Sequence, residues 1–400
     1  MKKESLHILT VNCGSSSIKF AVYETFRKPN KILSGHLKRI GLDNTTFNIT
    51  NHSTEVKEEI KTETKSFKEA AEFLITRLKK EKCFNNVGCI GHRIVYGMDH
   101  TDPEIIDDQL LEELNKIRDY DPDHLPAELM IIKLFKKKFP ALMQVACFDT
   151  SFHTTMPQVA KILPIPRRFY TAGIRRYGFH GLSYTYLMET LKKYEGAAIS
   201  KGRIILAHLG NGASLAAVKK GKSIDTSMGF TPAGGLVMGT RTGDLDPGTA
   251  WYMVEKEKMT AKKFNHVINH ESGLLGVSGL SADMQDLLKK ESSNIHAAEA
   301  VALFCYQVKK WVGAYAAVLN GLNMLIFSGG IGENAPTIRS RICKGFDYLD
   351  IEIDEKENNK NALLISTKNS KVRVYVIPTD EEIIIAKSAK KLFIKNFKKK

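Results

Sequence analysis

The stretch His7-Ile-Leu-Thr-Val-Asn-Cys-Gly-Ser-Ser-Ser-Ile-Lys-Phe-Ala-Val-Tyr23 decides how the rest of the chain is read. Its apolar run His7 to Val11, small polar segment Asn12 to Ser17 and β-rich run Ile18 to Tyr23 spell strand, tight loop, strand. The pattern returns in the second half as Ile204 to Leu209, Gly210-Asn-Gly-Ala-Ser214 and Leu215 to Val218. Such a recurrence implies two related halves. Each offers a loop of small residues whose backbone N–H groups can approach an anion.

Outside the hairpins, helical and strand patterns alternate, which implies an α/β architecture. Ser66-Phe-Lys-Glu69 reads as a capping box opening a helix with the apolar stripe Phe67, Ala71, Leu74 and Leu78, and Leu110, Leu114 and Ile117 mark another. Met143 to Phe148 is a continuous apolar run ending at Asp149, where α/β proteins carry ligand-binding side chains at a strand's carboxyl end. A domain boundary is expected there. Farther on, Ile295 to Leu319 reads as a long helix, Met324 to Phe327 as a strand and Ser328 to Asn334 as a glycine turn. Val372 to Ile377 is the last strand, leading through Pro378 into a terminal helix that returns to the first domain. The expected domains are 1–150 completed by 383–400, and 151–382.

A chain of 400 residues with 43% hydrophobic and 26% charged residues is neither disordered nor a small stapled scaffold. The cysteines Cys13, Cys83, Cys89, Cys147, Cys305 and Cys343 form no C-x-x-C pair and read as reduced thiols. The N-terminal residues do not look like a secretory signal, so a cytoplasmic location is expected. Trp311 to Gly332 carries no charge and is long enough to suggest a membrane span, but Asn320, Asn323, Ser328 and its glycines read as buried core. The net charge is +15, and seven lysines lie in 387–400. Ile385, Ala389, Phe393 and Phe397 fall at helical spacing there, so these lysines read as the wet face of a docked helix, with neither nucleic acid nor membrane as partner.

Three glycine- or serine-rich loops follow apolar strands and are suited to phosphate. No G-x-x-x-x-G-K-[ST] occurs, which excludes a P-loop NTPase. Gly330-Ile-Gly-Glu-Asn-Ala335 lacks the βαβ surroundings of a dinucleotide fingerprint. Lys19 is either an ammonium directed at a phosphate or an exposed strand lysine. His208 and Asn211 flank the second loop. Arg93, inside Gly91-His-Arg-Ile-Val95, needs an anion partner, structural or ligand. Arg241 lies between glycines, a mobile and exposed setting that suits a phosphoryl clamp, while Asp246 before Pro247 reads as a helix N-cap. His180 follows Arg175 and Arg176, which disfavour its protonation and leave its hydrogen bonding open; it is either a turn histidine or a functional one. Thr379-Asp-Glu-Glu382 reads as a capping box that accounts for Glu382 and leaves Glu381, with Asp149, as hard oxygen donors for Mg²⁺.

Taken together, VNCGSSSIKF from Val11, GHRIVYG from Gly91, CFDTSFHTTMP from Cys147, RRYGFHG from Arg175, HLGNGAS from His208, the glycine-rich run from Asp225 to Gly248, SGGIGEN from Ser328 and IPTDEE from Ile377 resemble the acetate kinase family. That family belongs to the acetate/sugar kinase, Hsp70 and actin superfamily. The resemblance covers almost the whole chain. It implies two ribonuclease-H-like, actin-like ATPase domains hinged around a nucleotide cleft, and reversible phosphoryl transfer from ATP to acetate in a cytoplasmic homodimer. By motif, Asn12 and Glu381 are implied as Mg²⁺ positions, with Mn²⁺ an alternative ion, and Asp149 as the catalytic or metal-organising carboxylate. Arg93 is implied for the acetate carboxylate, with Val95, Phe179 and Pro232 in the methyl pocket. Arg241 and His180 are implied to stabilise the phosphoryl group in transit. Ser15, Ser17, Lys19, His208, Leu209, Gly210, Asn211, Gly212, Asp283, Met284, Gln285, Gly330, Ile331, Gly332, Glu333 and Asn334 are implied to line ATP or ADP.

The chain departs from the usual pattern. Asp123-His-Leu-Pro126 stands where Leu-His-Asn-Pro is usual, Leu182 and Tyr184 stand for Thr and His, and Ala233-Gly234 for Leu-Glu. Gln285 stands for an arginine and Asp380 for an asparagine. Asp123 falls at a methyl-pocket position and leaves chain-length preference open. Propionate or another short carboxylate is the alternative acceptor. A non-catalytic ATP switch of the same superfamily is the alternative of another class, and such a switch has no need of Arg93, His180 and Arg241.

Overall fold

The computed structural model describes residues 6–14, 16–25, 28–41, 44–199 and 201–398. They divide into two compact units, Met1–Ser151 with Asp380–Lys400, and Phe152–Thr379.

In the first unit, β1 (His7–Gly14) and β2 (Ser17–Glu24) form an antiparallel hairpin, extended by β3 (Asn30–Lys38), β4 (Thr45–Asn51) and β5 (Lys57–Thr62). On the other side of β1 lie β6 (Val87–Ile94) and β8 (Met143–Phe148), both parallel to it, with the two-residue β7 (Glu104–Ile105) at the edge. The order is β5-β4-β3-β2-β1-β6-β8-β7. The second unit repeats its core in a sheet of order β11-β10-β9-β12-β13. Here β9 (Arg203–Leu209), β10 (Ala213–Lys219) and β11 (Lys222–Thr226) are antiparallel, while β12 (Met324–Ser328) and β13 (Arg373–Val376) run parallel to β9. The duplicated hairpin is thus the seed of two sheets with one plan. The first loop is tighter than its polar residues suggest, because Asn12, Cys13 and Gly14 remain in the ladder opposite Lys19, Ile18 and Ser17.

Strand alternation sorts the faces of the first sheet. Leu9, Val11, Ile18 and Phe20 pack with Ala70, Ala71 and Leu74 of the helix Phe67–Leu78 and with Ile131 and Phe135 of the helix Leu125–Lys138. Ser66 caps the first of these helices through Glu69 N–H, while the Glu69 carboxylate reaches Lys65 N–H. The terminal helix Glu381–Phe397 packs on β6, β1 and β8. Its buried residues are Ile384, Ile385, Ala386 and Ala389, and the expected apolar stripe stops short of Phe397, which is 58% exposed. The N-cap is Asp380, accepting from Ile383 N–H at 3.0 Å, in place of the expected Thr379 box. Glu382 is therefore released from capping.

Close approach of this helix requires Gly91. A Cβ there would lie 2.5 Å from Ile385 Cγ2 and 3.3 Å from Ala389 Cβ. We expect Gly91→Ala to lower stability by about 1–3 kcal/mol, the usual cost of overpacking, as measured by urea unfolding. A midpoint equal to wild type would show that the helix is not seated this tightly.

In the second unit, Ile295–Leu319 is helical as expected, capped by Asn294 and ended by Asn320 in the left-handed conformation. Its buried Ala297, Val301, Phe304, Val308, Val312, Tyr315 and Leu319 form one stripe. The uncharged segment from Trp311 resolves into this helix, β12 and a short helix, Gly329–Asn334. Among the described residues no helix is long and apolar enough to cross a membrane. The expected glycine turn at 328–334 is that short helix. Glu333 stabilises it by accepting Gly329 N–H at 2.8 Å, and the same oxygen takes Thr379 N–H at 3.0 Å.

Candidate active site

Parallel strands end together, and side chains at their carboxyl ends converge. In the first unit these are Asn12 near the end of β1, Arg93 near the end of β6 and Asp149 just past β8. The Asp149 side chain is fully buried, and its Oδ2 accepts from Arg93 Nε at 3.0 Å and Nη2 at 2.5 Å. Arg93 Nη1 donates to Asn12 Oδ1 at 3.1 Å, and Asn12 Nδ2 donates to Glu381 at 2.9 Å and Glu382 at 3.4 Å. Burial opposes the guanidinium charge, but Asp149, Glu381 and Glu128 outweigh it and raise the Arg93 pKa. The partner that Arg93 requires is therefore a protein carboxylate. Among the described residues it uses three of its five N–H donors, leaving one on each terminal nitrogen.

Val95 is buried two residues beyond, and its N–H points at both carboxylate oxygens of Glu128, 3.2 and 3.3 Å away. Burial, reinforced by Asp121, pushes the Glu128 carboxyl well above the ordinary range, so it is held toward the neutral acid. Asp123 is partly exposed, whereas Leu125 beside it is fully buried with Ile94 and Phe148, and Asp121 bonds His124 Nδ1 at 2.8 Å. Lys19 is an exposed strand residue. With Lys31, His36 and Glu382 it borders a cavity of ≈ 280 Å³. Ser17 closes the hairpin opposite Gly14, and Ser15 lies outside the described residues.

In the second unit, His208 sits near the end of β9 and His180 at the entry to the helix Gly181–Ile199. Their rings stack at 4.2 Å. His180 has φ +59°, a left-handed conformation uncommon outside glycine, and Gly178 at φ +77° precedes it. A Cβ on Gly212 would lie 3.3 Å from His180 Nε2 and 4.0 Å from Arg241 Nη1, so the glycine loop brings these two side chains to one point. The loop bearing Arg241 is tied by hydrogen bonds. Met238 N–H bonds Arg241 O, Gly239 N–H bonds Asn211 O, Thr242 N–H bonds Ile268 O, and Arg241 Nη1 donates to Pro232 O at 3.3 Å. Glycine at 273, with φ +63°, lets the chain pass where a Cβ would come within 2.2 Å of Met238 O. Arg176 donates to the carbonyls of Thr226, Ser227 and Met228, and Arg175 lies over the Tyr177 ring, so both have structural partners. Phe179 and Pro232 are buried.

Beside the glycine loop opens a cavity of ≈ 570 Å³, within the range of ligand pockets. Of the expected nucleotide residues, Gly210, Asn211, Asp283, Met284, Gln285, Gly330, Ile331 and Asn334 line it. Leu209, Gly332 and Glu333 are not among the lining residues, and Glu333 spends its carboxylate on Gly329 and Thr379. Residues that sequence reasoning missed include Leu288, Ala335, Pro336 and Thr337 on the wall, and Glu128 behind Val95. Ser183 and Ser214 hold the two histidines. Ser214 lies in the quoted HLGNGAS motif, the one signal that pointed to it. Glu128 falls on the buried stripe of its helix and resembles a core position.

Comparison with known proteins identifies the family. Residues 7–387 match the Acetokinase family. An acetate kinase of Caldanaerobacter subterraneus subsp. tengcongensis is 41% identical, over 97% of this chain and 99% of its own, and one of Clostridium kluyveri is 40% identical, over 99% and 100%. The crystal structure of Porphyromonas gingivalis acetate kinase shares the fold, with TM-score 0.86, 36% identity and coverage of 97% and 100%. A propionate kinase structure from Francisella tularensis matches at TM-score 0.89 and 36% identity, covering 96% and 99%. A family match over nearly all of its length and relatives about 40% identical along the whole chain establish that the chain belongs to the acetokinase family.

Proposed function

We propose that the chain is an acetate kinase, transferring the γ-phosphoryl group of ATP reversibly to acetate by direct in-line displacement. The observation that carries this reading is the Arg93 fork, held charged by Asp149 yet retaining one N–H on each terminal nitrogen, a pair suited to bidentate grip of a carboxylate. Val95 beside it is assigned to the methyl group. Acetate is already ionised at neutral pH, so the reaction needs positioning and charge neutralisation more than a general base. Asp149, committed to Arg93, then acts by orienting that arginine. We assign Arg241 and His180 to the equatorial oxygens of the phosphoryl group, and the 570 Å³ cavity to the nucleotide.

The donor set of the first unit fits Mg²⁺: Glu381, Glu382 and Asn12 Oδ1 are hard oxygens. Among the described residues no three His, Cys, Asp or Glu side chains group as a metal cage, consistent with an ion that keeps water and phosphate ligands. When bound, Mg²⁺ neutralises phosphate charge. Asn12 and Glu381 are the residues we assign to hold it.

The Francisella neighbour favours one second reading, a propionate kinase, because it matches as well as the acetate kinase structure does. Trapping acyl phosphate with hydroxylamine under Mg-ATP, across acetate, propionate and butyrate, separates the two. We expect the highest kcat/KM with acetate. A higher value with propionate selects the second reading, and no product from any acid while ATP still binds removes both. A homodimer is inferred from the exposed Leu245, Trp251, Tyr252 and Val254, and a cytoplasmic location from six free cysteines.

A further inference from the structure

The two stacked imidazoles, His180 and His208, are each backed by two hydroxyls in series. His180 Nδ1 lies 2.9 Å from Ser214 Oγ, which lies 2.5 Å from the Tyr184 hydroxyl. His208 Nδ1 lies 2.8 Å from Ser183 Oγ, which meets Thr379 Oγ1 at 2.8 Å. Ser214 stands opposite His208 in the β9–β10 register, while Ser183 and Tyr184 come from the first turn of the helix that follows His180. Ser214 and Tyr184 are fully buried, and the Tyr184 ring packs against Phe152 and His153. The phosphoryl transfer described above uses neither Tyr184 nor Ser214.

A serine hydroxyl carries one proton, so the directions of its two bonds are linked. If Ser214 donates to Nδ1, it is free to accept from Tyr184; if Nδ1–H donates to Ser214, the serine proton turns toward the phenol. A phenol, with a pKa of about 10, is far more acidic than an aliphatic hydroxyl and is the stronger donor of the two. The favoured chain therefore runs from Tyr184 O–H to Ser214 Oγ, and from Ser214 O–H to His180 Nδ1. The remaining proton of the neutral ring then sits on Nε2.

We infer that Tyr184 is a positioning residue which, through Ser214, locks His180 as the Nε2–H tautomer. The inference rests on the phosphoryl role proposed for His180 and deepens it. Nε2 is the ring atom facing Gly212, 3.3 Å from where a Cβ would stand, and Arg241 Nη1 approaches the same point. A proton there makes a donor for a phosphoryl oxygen. A lone pair there would repel one. Stacking on His208 and the left-handed backbone at His180 fix the plane of the ring, and the hydroxyl chain decides which nitrogen bears the hydrogen.

The test is two-bond ¹H–¹⁵N NMR of histidine-labelled full-length chain, with the His180 signals identified by their loss in His180→Ala. Wild type is expected to show the Nε2–H pattern and Tyr184→Phe to populate the Nδ1–H form. We expect kcat in Tyr184→Phe to fall about 10- to 100-fold while both KM values hold, the range seen when the hydrogen-bond partner orienting a metal-bound histidine is removed. Ser214→Ala should move the spectrum in the same way and supplies a second variant if the first folds poorly. A wild-type His180 in the Nδ1–H form, or a Tyr184→Phe pattern identical to wild type, overturns the inference. Wild-type turnover in His180→Ala would instead remove the phosphoryl role, leaving the tautomer to be judged on the spectra.

Discussion

Arg241→Ala is expected to bind ATP as wild type does and to lose about 10³-fold or more in kcat, the range seen when a transition-state arginine is removed. Arg241 is carried by a loop whose backbone is tied at Met238, Gly239 and Thr242, and its Nη1 is anchored on Pro232 O beside His180. The guanidinium is therefore held in place before any charge develops, and such preorganised charge acts mainly on the transition state. Arg241→Lys keeps the charge and loses the planar fork, so it should fall between wild type and alanine. Steady-state kinetics with calorimetric ATP binding checks both. A variant retaining a tenth of wild-type turnover would end the assignment.

Arg93→Ala should fail in two separable ways. It leaves Asp149, whose side chain is fully buried, without its cation, and breaking a buried pair from one side costs about 3–5 kcal/mol. It also removes the fork assigned to the carboxylate, which raises KM for acetate. Adding Asp149→Asn to Arg93→Ala deletes the uncompensated charge, so the double variant should regain stability in urea unfolding and leave the acetate KM as poor as before. A double variant no more stable than Arg93→Ala would show that charge burial is not what the arginine relieves.

Where local chemistry decides the backbone, the sequence can be read directly. The strand Met143–Phe148, the helix Ile295–Leu319 and the caps at Ser66 and Asp246 lie where periodicity and capping residues put them. The repeated hairpin implies two sheets, but only strand pairing reveals that the second repeats the five-strand core β3-β2-β1-β6-β8 of the first. Misreadings arose where a distant partner overrides local preference. Ser328 to Asn334 looks like a turn until Glu333 supplies a carboxylate to the first N–H of a helix. Arg241 lies between glycines that read as slack, and Gly239 and Gly243 are where neighbouring backbone closes over the loop. Likewise Glu381 was left over from a capping box, and only the fold carries it to Asn12, 369 positions earlier. Glu128 carries no signal of its own and Tyr184 shows only as a departure from the family's histidine, since the role of a buried carboxyl or phenol is defined by what surrounds it.

Because the helix Glu381–Phe397 completes the first unit, the order of synthesis and the order of assembly disagree. A ribosome that has released the first sheet must still make the whole of Phe152–Thr379 before the cover for β1, β6 and β8 exists. At about 5–20 residues per second that delay is roughly ten to fifty seconds, during which Gly91 and its neighbours present an open apolar face. The nascent chain is thus exposed to aggregation and to chaperone capture in its first unit, although that unit is made first. Premature termination anywhere before Asp380 also yields a polypeptide lacking Glu381 and Glu382. Truncated products would then lack both the cover of the first sheet and the carboxylates we assign to Mg²⁺.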